Sequence, residues 1–271
     1  MKFNNIKVMN FENAIRGLRN PLESWSKSDS KFGLENLEYF DQNEKIAELY
    51  ANKQGFDFTK DYDNWSDIIN PISVWLNNNG ILNINDNDII EYALIGPNDL
   101  DLAQRMIKAG DSDSKFMRQI LVSIDITAPL YWWKEMDQYR IGVTTNSTST
   151  MHKIASTPII IDCFETDDYN GDYAIPEDLT EDLTYPIKII NYLEYLRKKY
   201  NETKDQHYWK ELIRWLPESW LQTRTWTANY AILRNIYFQR QHHRLTEWGQ
   251  FCKMVESLPY AKELILYNDK N

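Results

Sequence analysis

The fold of this chain is decided by residues 211–248, which read ELIRWLPESWLQTRTWTANYAILRNIYFQRQHHRLTEW. Neither Pro nor Gly occurs between Glu218 and Trp248, and Gly249 then supplies a natural stop, so the second half predicts a long helix. At about 100° per residue, one stripe of that helix carries an amide at one end and a guanidinium at the other. The stripe consists of Asn229, Ile232, Leu233, Ile236 and Arg240, with Arg244 at its margin.

An amphipathic helix normally turns its aliphatic stripe towards the protein interior, so the guanidinium of Arg240 is expected to need a partner. An unpaired buried charge is costly, and proteins avoid it by pairing the charge. The partner could be a carboxylate of the protein, or it could be the phosphate or acidic ring of a bound ligand. The stripe by itself leaves both alternatives open.

Length and composition limit the classes of protein to which the chain can belong. With 271 residues and 32.3 kDa it can bury one sizeable core, and we expect a single domain with an insertion at about 20–95. Polar turns alternate with amphipathic helical pieces in this insertion, which we therefore expect to be mainly helical. A net charge of −10 and a pI near 5.0 argue against a general nucleic-acid surface but allow a local basic pocket for one nucleotide.

Several kinds of catalytic site are excluded by the residues at hand. Cys163 and Cys252 are too few for a disulfide framework or a metal cluster, and neither has the nearby His pattern of a thiolate nucleophile. His242 and His243 are adjacent, so on a helix they point about 100° apart and do not make a metal site. No Gly-rich phosphate loop, signal region or apolar run of about 20 residues is found. We expect a cytoplasmic protein with no metal and no membrane or nucleic-acid partner.

A strand and a hydroxyl-rich loop are predicted upstream of the opening stretch. Aliphatic residues alternate with other residues over 120–126, which predicts a half-buried strand. A helix then opens at Pro129, because Pro suits a first helical turn. From Gly142 to His152 the chain reads GVTTNSTSTMH. A loop of this composition can bind phosphate, or it can be a solvated turn.

Taken in order, these motifs resemble the signature of the flavin-dependent thymidylate synthases, the ThyX family. That family has Glu-x-x-Arg and Leu-Pro, then Trp-Thr-x-Asn, and an Asn and an Arg further along the same helix. The chain supplies Glu211, Arg214, Leu216, Pro217, Trp226, Thr227, Asn229, Asn235 and Arg240. Upstream, a strand ending in Ala-Pro and a helix lead to the family's diagnostic motif, where Thr144 stands at the first Ser, Asn146 at the Asn and Ser149 at the second Ser.

The resemblance implies an α+β fold, with a central antiparallel or mixed sheet packed by long helices, in a homotetramer whose active sites lie between subunits. It implies an FAD-dependent transferase that methylates dUMP to dTMP, with methylenetetrahydrofolate as carbon donor and NADPH as reductant. It also implies a bacteriophage origin, with the host cytoplasm as location. By position, Arg240 would face the pyrimidine ring and stabilise its anionic form. The nucleotide side would further include Ser149, Asn146, Arg140 and Arg214, and the flavin side Asn229 and Asn235.

The chain also departs from the family's diagnostic motif. Its Arg-His-Arg becomes Tyr139-Arg140-Ile141, its Glu becomes Ser147 and its closing Arg-Tyr becomes Met151-His152. Three functions therefore stay open. The first is the flavin-dependent enzyme, and the second is a non-catalytic protein that binds or sequesters a nucleotide after losing flavin chemistry. The third is an interaction protein that uses only the scaffold.

Overall fold

The computed structural model of the chain describes residues 1–36, 42–56, 65–85, 87–167 and 185–268. Helices and strands are mixed along the chain, which divides into two compact units. The first unit consists of Met1–Asn4, Asp125–Ile141 and Thr145–Trp226. The second unit consists of Asn5–Ile124, Gly142–Thr144 and Thr227–Asn271.

The strands of the described residues form two sheets. They are β1 (Lys2–Met9), β2 (Lys31–Asn36), β3 (Ile81–Ile84), β4 (Ile89–Leu94), β5 (Leu121–Pro129), β6 (Thr144–Ser147) and β7 (Leu221–Asn229). One sheet has four strands in the order β1-β5-β7-β6, and the other has three in the order β2-β4-β3. In the smaller sheet β4 pairs antiparallel with both neighbours, with Lys31 opposite Leu94 and Ile84 opposite Ile90.

The α-helices of the described residues are α1 (Phe11–Arg19), α2 (Gln42–Lys53), α3 (Trp65–Gly80), α4 (Pro97–Ala109), α5 (Leu130–Met136), α6 (Thr150–Lys153), α7 (Tyr185–Thr203), α8 (Gln206–Arg214), α9 (Tyr230–Arg240) and α10 (Thr246–Glu256). None of these helices combines the length and the apolar character that crossing a membrane requires. The mixture of helices with antiparallel pairing confirms the predicted α+β class.

The predicted strand and helix around Pro129 are confirmed. The aliphatic residues that alternate over 120–126 are fully buried, and they are Ile120, Val122, Ile124 and Ile126. Their burial on one face is what a half-buried strand requires. Pro129 ends β5 and immediately precedes α5, where its fixed φ and missing N–H cost the helix nothing.

The long helix predicted in the second half of 211–248 is interrupted. Residues up to Asn229 belong to strand β7, in keeping with the Thr and Trp content of TRTWT, which favours extended backbone. Helix α9 then ends at Arg240, and α10 begins at Thr246. Between them the imidazole Nδ1 of His243 accepts from the N–H of Leu245 (3.2 Å). A side chain that bonds to nearby backbone in this way competes with helix continuation.

In the first unit, α7 and α8 pack around an apolar core. Its buried members are Ile154, Ile159, Phe164, Leu193, Leu196 and Leu212. Glu194 of α7 ties the neighbouring loop to this core, because its carboxylate accepts from the N–H of Ile159 (2.8 Å) and from Nε of Arg197 (2.7 Å). The hydrogen bond from Arg197 is the main cause that lowers the pKa of the Glu194 carboxyl.

In the second unit, the predicted insertion at 20–95 has an apolar core of its own. Helices α2 and α3 and strand β4 contribute its buried members, which are Ile46, Ala47, Ala51, Ile69, Leu76, Ile90, Tyr92 and Leu94. The insertion contains helices as expected, and it also contains the three-stranded sheet, whose short strands of 4–6 residues were not predicted. Residues 37–41, 57–64 and 86 lie outside the described residues. The boundaries at 20–95, and the single domain that contains them, stay predictions.

A buried ion pair lies next to α4 in the same unit. Nε of Arg19 donates to Oδ1 of Asp99 (2.5 Å), and the side chains are 6% and 0% exposed. The hydroxyls of Ser28 and Ser30 both donate to Oδ2 of Asp99 (2.6 Å each). A buried carboxylate is tolerated when it is paired and hydrogen-bonded to this extent, so the cluster fixes α1 and the segment before β2 to α4.

Glu263 is a half-buried acid whose carboxyl has one oxygen without a hydrogen-bond partner among the described residues. Nε1 of Trp75 donates to its Oε1 (3.2 Å), whereas Oε2 is buried and has no hydrogen-bond partner among the described residues. Burial raises the pKa of Glu263, because the charged form loses its hydration. The folded protein therefore holds this proton more tightly than the unfolded chain does, and stability falls as pH rises above the ordinary glutamate range.

Glu263→Gln is expected to raise the melting temperature at about pH 8 and to change it little at about pH 5, because the amide cannot ionise. Thermal unfolding at the two pH values measures the difference. Glu48→Gln is the matched control, since it makes the same substitution at an exposed glutamate on α2. An equal effect of Glu263→Gln at both pH values would contradict the role of ionisation.

Candidate functional site

The hydroxyl-rich loop of the first unit is fixed against β7. The N–H of Thr148 donates to the carbonyl of Thr223 (2.9 Å), and the side-chain amide of Gln222 donates to the carbonyl of Thr148 (3.0 Å). Asn146, in β6, is exposed. The loop is therefore held by its backbone at Thr148, while the amide of Asn146 lies at the surface.

Ser149 is the residue that caps α6. Its Oγ accepts from the N–H of His152 (3.2 Å) and lies 2.7 Å from Nδ1 of the same residue. The hydroxyl thus has a local structural role in the first turn of the helix. An anion bound by Ser149 would also meet the imidazole of His152.

The two arginines expected on the nucleotide side lie on different elements of the first unit. Arg140 is exposed after α5, and its Nε donates to the carbonyl of Asp137 (2.9 Å). Arg214 ends α8 and pairs with the carboxylate of Glu211. Within the described part of the chain, no hydrogen bond or ion pair joins either arginine to Ser149.

Arg224 of β7 is a candidate that the sequence reasoning did not identify. Its guanidinium carbon lies 4.3 Å from the ring centre of Trp133, its Nη1 donates to Oδ1 of Asp137 (2.8 Å) and its Nε donates to Oε1 of Gln222 (3.0 Å). It therefore holds the side chain that fixes Thr148. The signal was the alternation of the strand, which places Arg224 on the same face as the buried Trp226.

In the second unit, Asn229 caps α9. Its Oδ1 accepts from the N–H of Ile232 (3.1 Å), and the residue is 9% exposed. Gly142 lies close to this cap with φ +72°, and an added Cβ would come within 2.9 Å of Cδ1 of Ile232 and 3.6 Å of Nδ2 of Asn229. The positive φ favours glycine, whereas the close approach is to the end of a flexible side chain that can move aside. The amide of Asn229 consequently sets where the helix begins.

The remaining two predicted residues lie further along α9. Leu233 and Ile236 are fully buried, which confirms that this side of the helix faces inward. Asn235 is exposed, and its Oδ1 accepts from Nε2 of Gln239 (2.8 Å). Arg240 is half-buried, with its guanidinium carbon 4.6 Å from the ring centre of Trp248, within the range of a cation–π contact.

Cavities and reactive groups elsewhere in the described residues do not include the seven side chains predicted for the nucleotide and the flavin. Four cavities have volumes of about 240, 170, 300 and 590 Å³, and none of the four is lined by a predicted site residue. Across the described ranges, no group of three His, Cys, Asp or Glu residues is placed to hold a metal ion. Burial and the nearby Glu256 raise the pKa of the Cys252 thiol to about 11, so little thiolate is available at neutral pH.

Comparison with known proteins gives a likeness to solved structures alone. No family model and no curated protein matches the chain. The structure of thymidylate synthase X (ThyX) from Helicobacter pylori with FAD and dUMP is similar over 98% of this chain and 97% of that chain, with a TM-score of 0.55 and 14% identity. A second structure of the flavin-dependent ThyX from Helicobacter pylori, also complexed with FAD and dUMP, covers 88% of this chain and 96% of that chain, with a TM-score of 0.46 and 14% identity.

The first of these likenesses establishes that the chain has the α+β fold of ThyX. It confirms, at the level of the fold, the resemblance that the motifs predicted. The seven candidate residues stay predictions, with Ser149, Asn146, Arg140 and Arg214 in the first unit and Asn229, Asn235 and Arg240 in the second.

Proposed function

We propose that this chain binds a pyrimidine deoxynucleotide and methylates dUMP to dTMP in a ThyX-like reaction with FAD as cofactor. Methylenetetrahydrofolate would be the carbon donor and NADPH the reductant. The observation that supports this proposal is the fold shared with ThyX over almost the whole of both chains. Because chemistry resides in the site and not in the fold, each expected side chain has to be able to meet its ligand.

The two asparagines expected on the flavin side differ in how well they fit that role. Asn235 fits it, because its amide is exposed and its partner is the flexible Gln239 side chain one turn away, which a ligand can displace. Asn229 fits it less well, since its amide oxygen is used by the cap of α9. When bound, FAD would supply the transfer of the one-carbon unit and the hydride chemistry.

Arg240 is the residue of this chain that would stabilise the reacting ring. A fixed positive charge beside the pyrimidine favours its anionic form. The contact with Trp248 orients the guanidinium, and half-burial leaves part of it accessible. A planar guanidinium can bond to the oxygens of a pyrimidine ring in two places at once.

Ser149 and Arg214 would bind the phosphate of the nucleotide. In the single chain the Ser149 hydroxyl contacts the imidazole of His152, and the Arg214 guanidinium forms an exposed ion pair with Glu211. Exposed ion pairs are weak, so a phosphate that carries more charge than a carboxylate can replace Glu211 as the partner of Arg214. We further propose a homotetramer with sites between subunits, which agrees with the exposure of Arg140, Asn146 and Asn235 in one chain.

The purified protein is expected to be yellow, to release FAD on denaturation and to melt at a higher temperature with dUMP. Binding at 100 times the Kd adds about 2.7 kcal/mol of stability, which is a shift of several degrees. Adenosine monophosphate is the matched control for a general phosphate effect, and light scattering gives the number of chains. A colourless protein whose melting temperature responds to neither FAD nor dUMP would contradict the proposal.

A flavin-free nucleotide-binding or sequestering protein is the second candidate. It is favoured by the segment that replaces the family's Arg-His-Arg, where Ile141 is 92% exposed and offers no polar group. Arg140 in the same segment donates to the carbonyl of Asp137. A colourless protein that is nevertheless stabilised by dUMP would support this candidate against the enzyme.

A further inference from the structure

A cavity of about 240 Å³ lies beside α1 within the second unit. One wall is the α1 face that carries Arg16 and Arg19, and the others include Trp25 and Phe32. None of the residues predicted for the nucleotide or the flavin lines it. The cavity combines two guanidinium groups with two aromatic rings.

The hydrogen bonding of the Arg19 side chain points to a ligand in this cavity. The residue is 5% exposed, and it uses Nε for Asp99 (2.5 Å) and Nη1 for a long contact with the carbonyl of Ser24 (3.4 Å). Its Nη2 donates to nothing among the described residues. A guanidinium has five N–H donors, and Nη2 of Arg19 is not one of the buried atoms that lack a partner, so its N–H groups remain accessible. The cavity that Arg19 lines is where these N–H groups can meet an acceptor.

Arg16 lies one turn earlier on α1 and lines the same cavity. Its guanidinium carbon is 5.1 Å from the ring centre of Trp25, and within the described ranges it forms no ion pair with a carboxylate. Nε1 of Trp25 donates to Oδ1 of Asn20 (2.9 Å), which fixes the ring. A guanidinium held against an aromatic face keeps its N–H edge free to bind a carboxylate or a phosphate.

The part of the lining formed by Ser28 and Ser30 is rigid. Both hydroxyls donate to the buried carboxylate of Asp99, so neither can rotate freely. Among the charged side chains of the lining, two are arginines and one is the exposed carboxylate of Glu12. Asp99 compensates the charge of Arg19, so Arg16 is the arginine of the lining whose charge is not already paired with a carboxylate.

We propose that this cavity binds a small aromatic oxyanion. Its carboxylate or phosphate bonds to Arg16 and to Nη2 of Arg19, and its ring packs against Trp25 and Phe32. Drug-sized ligands usually occupy at least about 300 Å³, so the smaller volume here suits a single ring with one charged group. The inference is independent of the proposed thymidylate chemistry, since it shares no residue with that site.

Titration calorimetry with four probes tests the chemistry of the site. Phenyl phosphate and benzoate carry a ring and a charge, inorganic phosphate has no ring, and benzyl alcohol has no charge. The better of the two aromatic anions is expected to bind at least about tenfold more tightly than either single-feature probe. Phenyl phosphate as the better ligand indicates a phosphate ester as the natural class, and benzoate indicates a carboxylate. Equal binding of inorganic phosphate and the aromatic anions, or no binding by any probe, would overturn the proposal.

Variants of the exposed residues test the location. Arg16→Gln and Trp25→Ala are each expected to weaken binding of the better aromatic anion by about tenfold. Arg16→Lys should weaken it by less, because lysine retains the positive charge but lacks the paired N–H donors of the guanidinium. Arg19 is left intact, because its loss would leave Asp99 buried and unpaired. Arg105→Gln, at an exposed pair with Asp101 on α4, is the matched control. Unchanged affinity in both Arg16→Gln and Trp25→Ala would overturn the site.

Discussion

Replacing Asp99 with alanine is expected to lower the free energy of unfolding by about 3–5 kcal/mol. The carboxylate is fully buried and accepts from Arg19, Ser28 and Ser30. Its removal leaves the buried guanidinium of Arg19 without a counter-charge and both hydroxyls without their acceptor. Urea unfolding followed by circular dichroism measures the loss.

The matched control for this substitution is Asp101→Ala on the same helix. Asp101 pairs with Arg105 four residues along, and both side chains are more than half exposed at 51% and 62%. An exposed pair of this kind contributes less than about 0.5 kcal/mol. Equal losses from the two substitutions would show that the ion pair between Arg19 and Asp99 does not anchor α1 to α4.

Replacing Arg240 with glutamine is expected to lower the rate of dTMP formation by about 10²–10³-fold, the usual effect of removing one preorganised group that stabilises a developing anion. The affinity for dUMP should fall as well, because the guanidinium would contact the ring in the ground state. Turnover of dUMP and its binding by calorimetry are the two measurements. Thermal unfolding of the variant separates this effect from a loss of packing on Trp248.

Arg244→Gln provides the control for position on the same segment. Arg244 is exposed four residues beyond Arg240, and its replacement should leave both turnover and affinity unchanged. Arg240→Lys retains a positive charge but not the planar guanidinium with its paired N–H donors, so intermediate activity is expected. Full dUMP affinity in Arg240→Gln would place the pyrimidine elsewhere and remove Arg240 from the site.

Elements defined by local periodicity could be predicted from the sequence. The alternation over 120–126 predicted β5, and Pro129 predicted the start of α5, because burial on one face imprints its period on the chain and Pro suits a first helical turn. The order of motifs from Glu211 to Arg240 gave the ThyX fold, which a structural likeness over 98% of this chain confirms.

Features that depend on distant contacts or on short segments could not be predicted in this way. The sheet of β2, β3 and β4 has strands of only 4–6 residues, too short for an alternation to stand out. Helix α9 ends at Arg240 although neither Gly nor Pro marks this point in the sequence, and the N–H of Leu245 donates to the His243 ring in the turn that follows. Tertiary packing decides such cases against local propensity.

In the candidate site, too, local features could be predicted from the sequence, whereas contacts between side chains could not. The sequence identified side chains by type and order, but it could not show that Ser149 caps α6 or that Glu211 pairs with Arg214. It also passed over Arg224, because an arginine in a strand carries no motif of its own. The aromatic ring and the carboxylate that hold Arg224 come from α5 and the residue after it, about ninety positions away.

The cap formed by Asn229 has a consequence for how distant relatives of this chain are classified. Since the first turn of α9 needs a short side chain with an oxygen at that point, folding alone is sufficient reason to retain asparagine there. A homologue that had abandoned redox chemistry altogether would still display it. An asparagine at this position is therefore not by itself evidence that a chain binds flavin.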